Sequence, residues 1–178
     1  MKLVSTGLLI LALSIALVPE FRRYAAERRL YVATAVFQSI VARHQVAAPE
    51  ADALDWAVAT SIDAADGIPG DSRPLILAGS ARLIAQRPSE ALVLYKRALD
   101  LGERAEIDLN MGRAYFALGD QQAASSAIIR AAWVSPAIVS VLPEQARPPV
   151  TSALAQDEEL LLHRRLSAPP PLPSDSSR

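Results

Sequence analysis

Residues 105–136, AEIDLNMGRAYFALGDQQAASSAIIRAAWVSP, place small and bulky side chains at helical spacing on both sides of one Gly-Asp turn. The same arrangement occurs 33 residues earlier. Gly79 pairs with Gly112, Ala91 with Ala124 and Ala98 with Ala131, and the bulky positions follow in the same register: Ile76 with Leu109, Leu83 with Phe116, Tyr95 with Ile128, Leu101 with Val134. Each copy contains two helical stretches joined by a short turn, Ala85-Gln86-Arg87 in the first and Leu118-Gly119-Asp120 in the second. A period in the low thirties with two helices per period predicts stacked helical hairpins. A glycine on the first helix lets it approach the second, where two alanines seven residues apart present a small surface. Tyr95 or Ile128, one turn beyond the first alanine, fills the space beside them.

These residues resemble the tetratricopeptide repeat family. The second copy is similar to that family's pattern without a gap, at Met111-Gly112, Tyr115, Gly119-Asp120, Ala124, Ile128, Ala131 and the closing Pro136. The first keeps Gly79, Ala91, Tyr95 and Ala98 but carries Arg82 where the second has Tyr115, and Glu103 where it has Pro136. Both lack the tryptophan that the family often places early in the first helix, with Leu75 and Asp108 there. The resemblance covers residues 72–136. It implies that the first helices line a concave groove for a partner segment. By register that face comprises Arg73, Ile76, Ser80 and Leu83, then Glu106, Leu109, Asn110, Arg113 and Phe116, with Asn110 matching a position that often contacts a peptide backbone. The packing alternative, in which Leu83, Leu109 and Phe116 meet neighbouring helices or the C-terminal segment, stands beside it. The family's clamp for a terminal carboxylate needs lysines that this face lacks.

Two hairpins leave their outer faces uncovered, so the flanking segments must cap them. Stepping back 33 residues from Ala91, Tyr95, Ala98 and Leu101 reaches Val58, Ile62, Ala65 and Ile68, a second-helix pattern in a helix expected from Pro49 to Asp66. Its partner is an amphipathic helix from Arg22 to Val46 with an apolar set at Leu30, Ala33, Phe37, Ile40 and Val41. Residues 22–71 therefore read as a degenerate first hairpin, and 137–167 as the cap at the other end. In that cap Pro143, Pro148 and Pro149 interrupt any long helix, and Thr151 or Ser152 is placed to cap a final one. The tail 168–178, APPPLPSDSSR, has almost nothing to bury and is expected to be disordered.

At the other end, residues 3–18, LVSTGLLILALSIALV, carry no charge. As a helix they span roughly 24 Å against about 30 Å of bilayer hydrocarbon, and Phe21 and Tyr24 can extend them into the interface. No small-residue cleavage pattern follows the apolar core, so residues 1–21 read as an uncleaved single-span anchor. Arg22, Arg23, Arg28 and Arg29 follow it, and only Lys2 precedes it. That charge balance leans the helical domain towards the cytoplasmic face. The arginines either end the span or meet anionic headgroups.

Composition closes several routes. The chain has 18 Lys and Arg against 19 Asp and Glu, a formal charge of −1 that offers no field for a nucleic-acid backbone. It has no cysteine, hence no disulfide, thiol catalysis or thiolate metal site. His44 and His163 stand far apart, and Asp157, Glu158 and Glu159 read as a solvated face. The pairs Asp52/Asp55 and Asp63/Asp66 read the same way. Residues 67–70 lack the lysine of a phosphate loop, and no serine lies in a nucleophile elbow. The expectation is an all-α protein without enzyme activity, cofactor or metal. It would be a single-pass inner-membrane scaffold whose tetratricopeptide-like hairpins bind another protein, as an accessory or assembly subunit of a bacterial envelope complex. Two other readings remain open: a structural subunit that braces a membrane enzyme through its anchor, and a periplasmic repeat protein released by signal cleavage.

Overall fold

The computed structural model describes residues 2–43, 48–163 and 170, and the side-chain surroundings of 14–43, 50–163 and 170. Among the described residues all regular structure is helical: α1 (Lys2–Ala42), α2 (Ala48–Gly67), α3 (Arg73–Ile84), α4 (Pro88–Asp100), α5 (Ala105–Ala117), α6 (Gln121–Val134), α7 (Ile138–Val141), a 3-10 turn (Glu144–Ala146) and α8 (Arg147–Leu162). The chain divides within α3, after Ala78, into two compact units.

In the first unit α1 pairs with α2. Ala26, Leu30 and Ala33 of α1 bury against Ala64, Ile68 and Leu77, with Phe37 lapping the edge. The helices approach tightly at Gly67, where an added Cβ would lie 2.5 Å from the Ala26 Cβ. This approach corrects the expected register of α2. The buried line runs through Leu54, Ala57, Val58, Ser61, Ala64 and Ile68, leaving Ile62 and Ala65 only half-buried. Small residues win the facing positions because a longer side chain would hold α1 away. Val41, expected in the apolar set of α1, is exposed.

The segment read as an anchor and the amphipathic helix from Arg22 form one helix, and α1 runs unbroken through Pro19. Proline removes one hydrogen bond, to the carbonyl of Ile15, but the helix formers around it keep the turn. Among the described residues no helix is long and apolar enough to cross a membrane. Residues 3–13 of the expected anchor lie outside those whose side chains are described.

The second unit is built on small-to-large contacts. A Cβ on Gly79 would stand 2.5 Å from the fully buried ring of Tyr95, and one on Gly112 would stand 2.7 Å from the Ile128 side chain and 3.2 Å from the Ala124 carbonyl oxygen. On α6 the buried residues are Ala123, Ala124, Ala127, Ala131 and Ala132. The two hairpin turns share one geometry. The Arg87 N–H donates to the Arg82 carbonyl at 2.9 Å, and the Asp120 N–H to the Tyr115 carbonyl at 3.0 Å. Each turn needs one left-handed residue, Gly119 at φ 82° in the second and Gln86 at φ 60° in the first. The Asp120 carboxylate then caps α6 by accepting the Ala123 N–H at 2.9 Å.

After α6 the chain folds back, and Leu142 and Val150 bury against Leu109, Ala131 and Ala132. The prolines do not delay the last helix. It begins at Arg147 with Pro148 and Pro149 in its first turn, where a missing N–H has no helical partner to lose. Thr151 is therefore not its cap, and its hydroxyl lies 3.1 Å from the Arg147 carbonyl oxygen and 2.9 Å from that of Pro148. The tail 168–178 lies outside the described residues except Pro170, whose carbonyl accepts a hydrogen bond from Arg130 Nη1 at 2.8 Å.

The tight approach of α3 to α4 makes Gly79→Ala destabilising by about 1–3 kcal/mol, because the buried Tyr95 ring has no room to yield. Gln86→Gly, which relieves a left-handed side-chain residue, raises stability by about 0.5–1 kcal/mol. Both are read as shifts in the urea midpoint at unchanged slope.

Candidate partner-binding face

The predicted face is distributed unequally between exposed and buried positions. Arg73 and Ile76 lie in the first unit and the remaining seven residues in the second. Arg73 is already engaged: its Nε donates to Asp71 at 2.8 Å and its Nη2 to Asp71 at 2.5 Å and Glu27 at 2.8 Å. The hydrogen bond to Asp71, reinforced by Glu27, holds this guanidinium charged well beyond its ordinary range. Ile76, Leu109 and Asn110 are buried. Leu109 belongs to the cluster with Ala131, Ala132, Leu142 and Val150, so the C-terminal segment covers it. For Leu109 the packing alternative holds, and Ile76, Leu109 and Asn110 are corrected from groove residues to interior ones.

A smaller face is left in the second unit. Glu106, Arg113 and Phe116 project from one side of α5, spaced seven and three residues apart, and all three are exposed. Phe116 is 69% exposed, high for an aromatic side chain on a helix that buries eight of its neighbours. Arg113 Nη1 donates to Asn110 Oδ1 at 2.9 Å, so that amide oxygen orients the guanidinium. On α3, Ser80 and Leu83 are half-buried. The Ser80 hydroxyl lies 3.2 Å from the Tyr95 hydroxyl, which makes Ser80 a partner of the buried phenol. Burial pushes the Tyr95 phenol up to about 12, against the Ser80 hydrogen bond and the charge of Arg113, while Glu106 adds to the rise. The phenol therefore stays neutral and serves as a fixed dipole between the two helices.

This face offers a cation, an anion and an exposed aromatic ring, but no nucleophile beside a base. Its chemistry suits an extended segment with one acidic and one apolar side chain. His163 ends α8 with its Nδ1 2.9 Å from the Glu159 carbonyl oxygen, and His44 lies outside the described residues. Among the described residues no group of three histidines or carboxylates is placed to hold a metal ion.

In sequence Asp108 reads only as a departure from the repeat. Asp108 is fully buried, and no hydrogen-bond partner meets either carboxyl oxygen. Burial raises it to about 7, the nearby Glu103 carboxylate adds to the rise and Arg130 opposes it. Arg130 holds Glu103 through one guanidinium edge, Nε donating to Oε1 and Nη2 to Oε2 at 2.6 Å, which draws Glu103 below the usual carboxylate range. The signal was in the register: Asp108 stands where the first copy has the buried Leu75, and Glu103 stands where the second has Pro136.

No protein-family model, curated protein or solved structure matches this chain.

Leu109→Ala should cost about 2–5 kcal/mol because it empties a covered position. Phe116→Ala should change stability by no more than about 0.5 kcal/mol. Thermal unfolding of the two variants separates interior from face. Asp108 gives a second test, with its sign fixed by linkage. Its carboxyl is raised in the folded state, so its contribution is fully present below the unfolded value near 4 and is lost as pH rises through about 7. Asp108→Asn should therefore raise the melting temperature at pH 8 and lose that advantage at pH 4. An equal gain at both pH values would refute the assignment.

Proposed function

We propose that this chain is a membrane-anchored docking module whose tetratricopeptide-like hairpins bind a partner protein, with residues 3–18 as the anchor. The observation that carries the reading is the exposed apolar flank of α1. Ile15, Leu17, Val18 and Phe21 are all exposed on a helix whose later turns bury small residues against α2. A run of that kind, unlike single scattered apolar side chains, needs a nonaqueous neighbour. Placed in a bilayer, the flank and the uncharged residues before it gain that neighbour, and Arg22 and Arg23 stop the span.

Binding is assigned to Glu106, Arg113 and Phe116 of α5. An anchor raises the local concentration of this face for partners in the same membrane, so modest affinity is enough. An accessory or assembly role in an envelope complex is the concrete form of the proposal, on the inner membrane with the hairpins towards the cytoplasm.

Expression of the full chain with a tag after Arg178 tests both halves. The chain should remain with the membrane fraction after alkaline carbonate washing, and Ile15→Lys/Val18→Lys should release it. Companion chains recovered in mild detergent should be lost from Phe116→Glu/Arg113→Glu while that variant stays in the membrane. Companions that survive the face variant but disappear with the anchor would replace docking by bracing through the membrane segment. A mature chain that begins near Leu17 in the soluble fraction would replace both by an exported repeat protein.

A further inference from the structure

Between α1 and α2 lies a hollow of about 330 Å³, lined by Ala25, Arg28, Arg29 and Val32 of α1 and by Trp56 and Thr60 of α2. We infer that this hollow binds the phosphate of an anionic phospholipid headgroup. The inference rests on the reading of residues 3–18 as a membrane segment and adds a second, lipid-specific contact to it.

Four observations converge on this occupant. The first is position along one rigid rod. Because α1 is continuous, the rise of 1.5 Å per residue sets depth, and about 20 residues cross 30 Å of hydrocarbon. A span that starts at Leu3 leaves the hydrocarbon near Arg22. Ala25 then lies about 5 Å beyond that edge and Arg28 about 9 Å, the depth of the headgroup layer and its outer margin. The second is azimuth. Val18, Phe21, Ala25, Arg28, Arg29 and Val32 recur at spacings of three, four, three, one and three, so the apolar flank leads along one face into the hollow.

The third observation is charge. Arg28 and Arg29 both line the hollow and are exposed, and Arg22 lies on the same side of α1 about two turns nearer the apolar flank. Arg29 is paired with Asp63 of α2 at 3.0 Å, with both side chains more than half exposed. A pair so wet is held weakly, so a phosphate can take the guanidinium from it. The fourth is the opposite wall. Trp56 is 45% exposed, an indole whose single N–H can donate to an oxygen of the bound headgroup. The Thr60 hydroxyl supplies another donor. The hollow accepts a phosphate and glycerol but is too small for two acyl chains, so the chains would run along the Val18 and Phe21 side of α1.

The test uses the full chain carrying Trp133→Phe, which leaves Trp56 as the reporting indole. It is incorporated into vesicles of phosphatidylcholine alone and of phosphatidylcholine with 30% phosphatidylglycerol. Flotation on phosphatidylcholine reads the anchor, and the change in Trp56 emission with phosphatidylglycerol reads the hollow. The site predicts an emission shift with phosphatidylglycerol that weakens as salt is raised. Each of Arg28→Gln and Arg29→Gln should lower the apparent affinity about fivefold, and the double variant roughly thirtyfold. Asp63→Asn, which frees Arg29, should tighten it. That opposite sign keeps the test decisive if an arginine variant folds poorly.

A chain that floats on both vesicles with Trp56 unchanged overturns the headgroup site and leaves the anchor standing. One that floats on neither overturns the anchor and the site with it. An equal shift produced by millimolar glycerol phosphate over phosphatidylcholine vesicles, with none from phosphatidylglycerol, assigns the hollow to a soluble phosphate ester and overturns the lipid source.

Discussion

Helices in this chain meet where a glycine leaves out its Cβ. Gly67 faces Ala26 in the first unit, and in the second Gly79 faces the Tyr95 ring and Gly112 faces Ile128 and the Ala124 carbonyl. Each contact is closer than any larger residue permits, and much of the interior follows from that. Interaxial distance depends on the side chains at the crossing, so alanines populate the facing surface of α6 and of α2. The interior of each unit is therefore shallow, built from many small side chains and a few large ones such as Tyr95, Leu54 and Ile107. Such a core gains little from any single residue and loses much from one misfit, since close-packed interiors do not absorb an extra methyl.

The hairpins were legible in the sequence because their signal is geometric. The 33-residue recurrence of glycine and alanine positions located α3 to α6 and both turns, and the structure adds that Gln86 and Gly119 share the left-handed position within them. The face was less legible. Register identifies which side of a first helix points towards the groove, but it does not say what the terminal segment will cover. Leu109 satisfies the pattern for a groove residue and is buried all the same, because Leu142 and Val150 fold over it. Arg73 satisfies it too, yet two carboxylates, one of them 46 residues earlier, had already claimed its guanidinium. Long-range pairings of that kind have no period, so no periodic reading can find them. In α2 the failure was one of register. Ile62 and Ala65 fit an idealised repeat, but the close approach at Gly67 selected Ser61 and Ala64.

The departures from the repeat have a common structural explanation. Glu103 and Asp108, both anomalous in the pattern, stand beside Arg130, and the three form one local charge arrangement around the start of α5. Glu103 holds the arginine directly, and Asp108 is buried close enough for its ionisation to be resisted. The same arginine reaches Pro170. A cation with a carboxylate on one side, a raised carboxyl near it and a backbone carbonyl from the C-terminal segment is a costly thing to leave unpaired.

The unbroken course of α1 has a mechanical consequence. A helix of 41 residues is roughly 60 Å of stiff rod, and its hydrogen-bonded backbone transmits torsion as well as bending. No linker separates the apolar half from the half that carries α2, and the helix continues through Pro19, where one backbone hydrogen bond is missing. Whatever grips the first turns therefore sets the azimuth of α2 about the rod axis, and a rotation of one end by the 100° of a single residue would swing α2 to another quarter of the compass. The first unit is thus aimed as well as held.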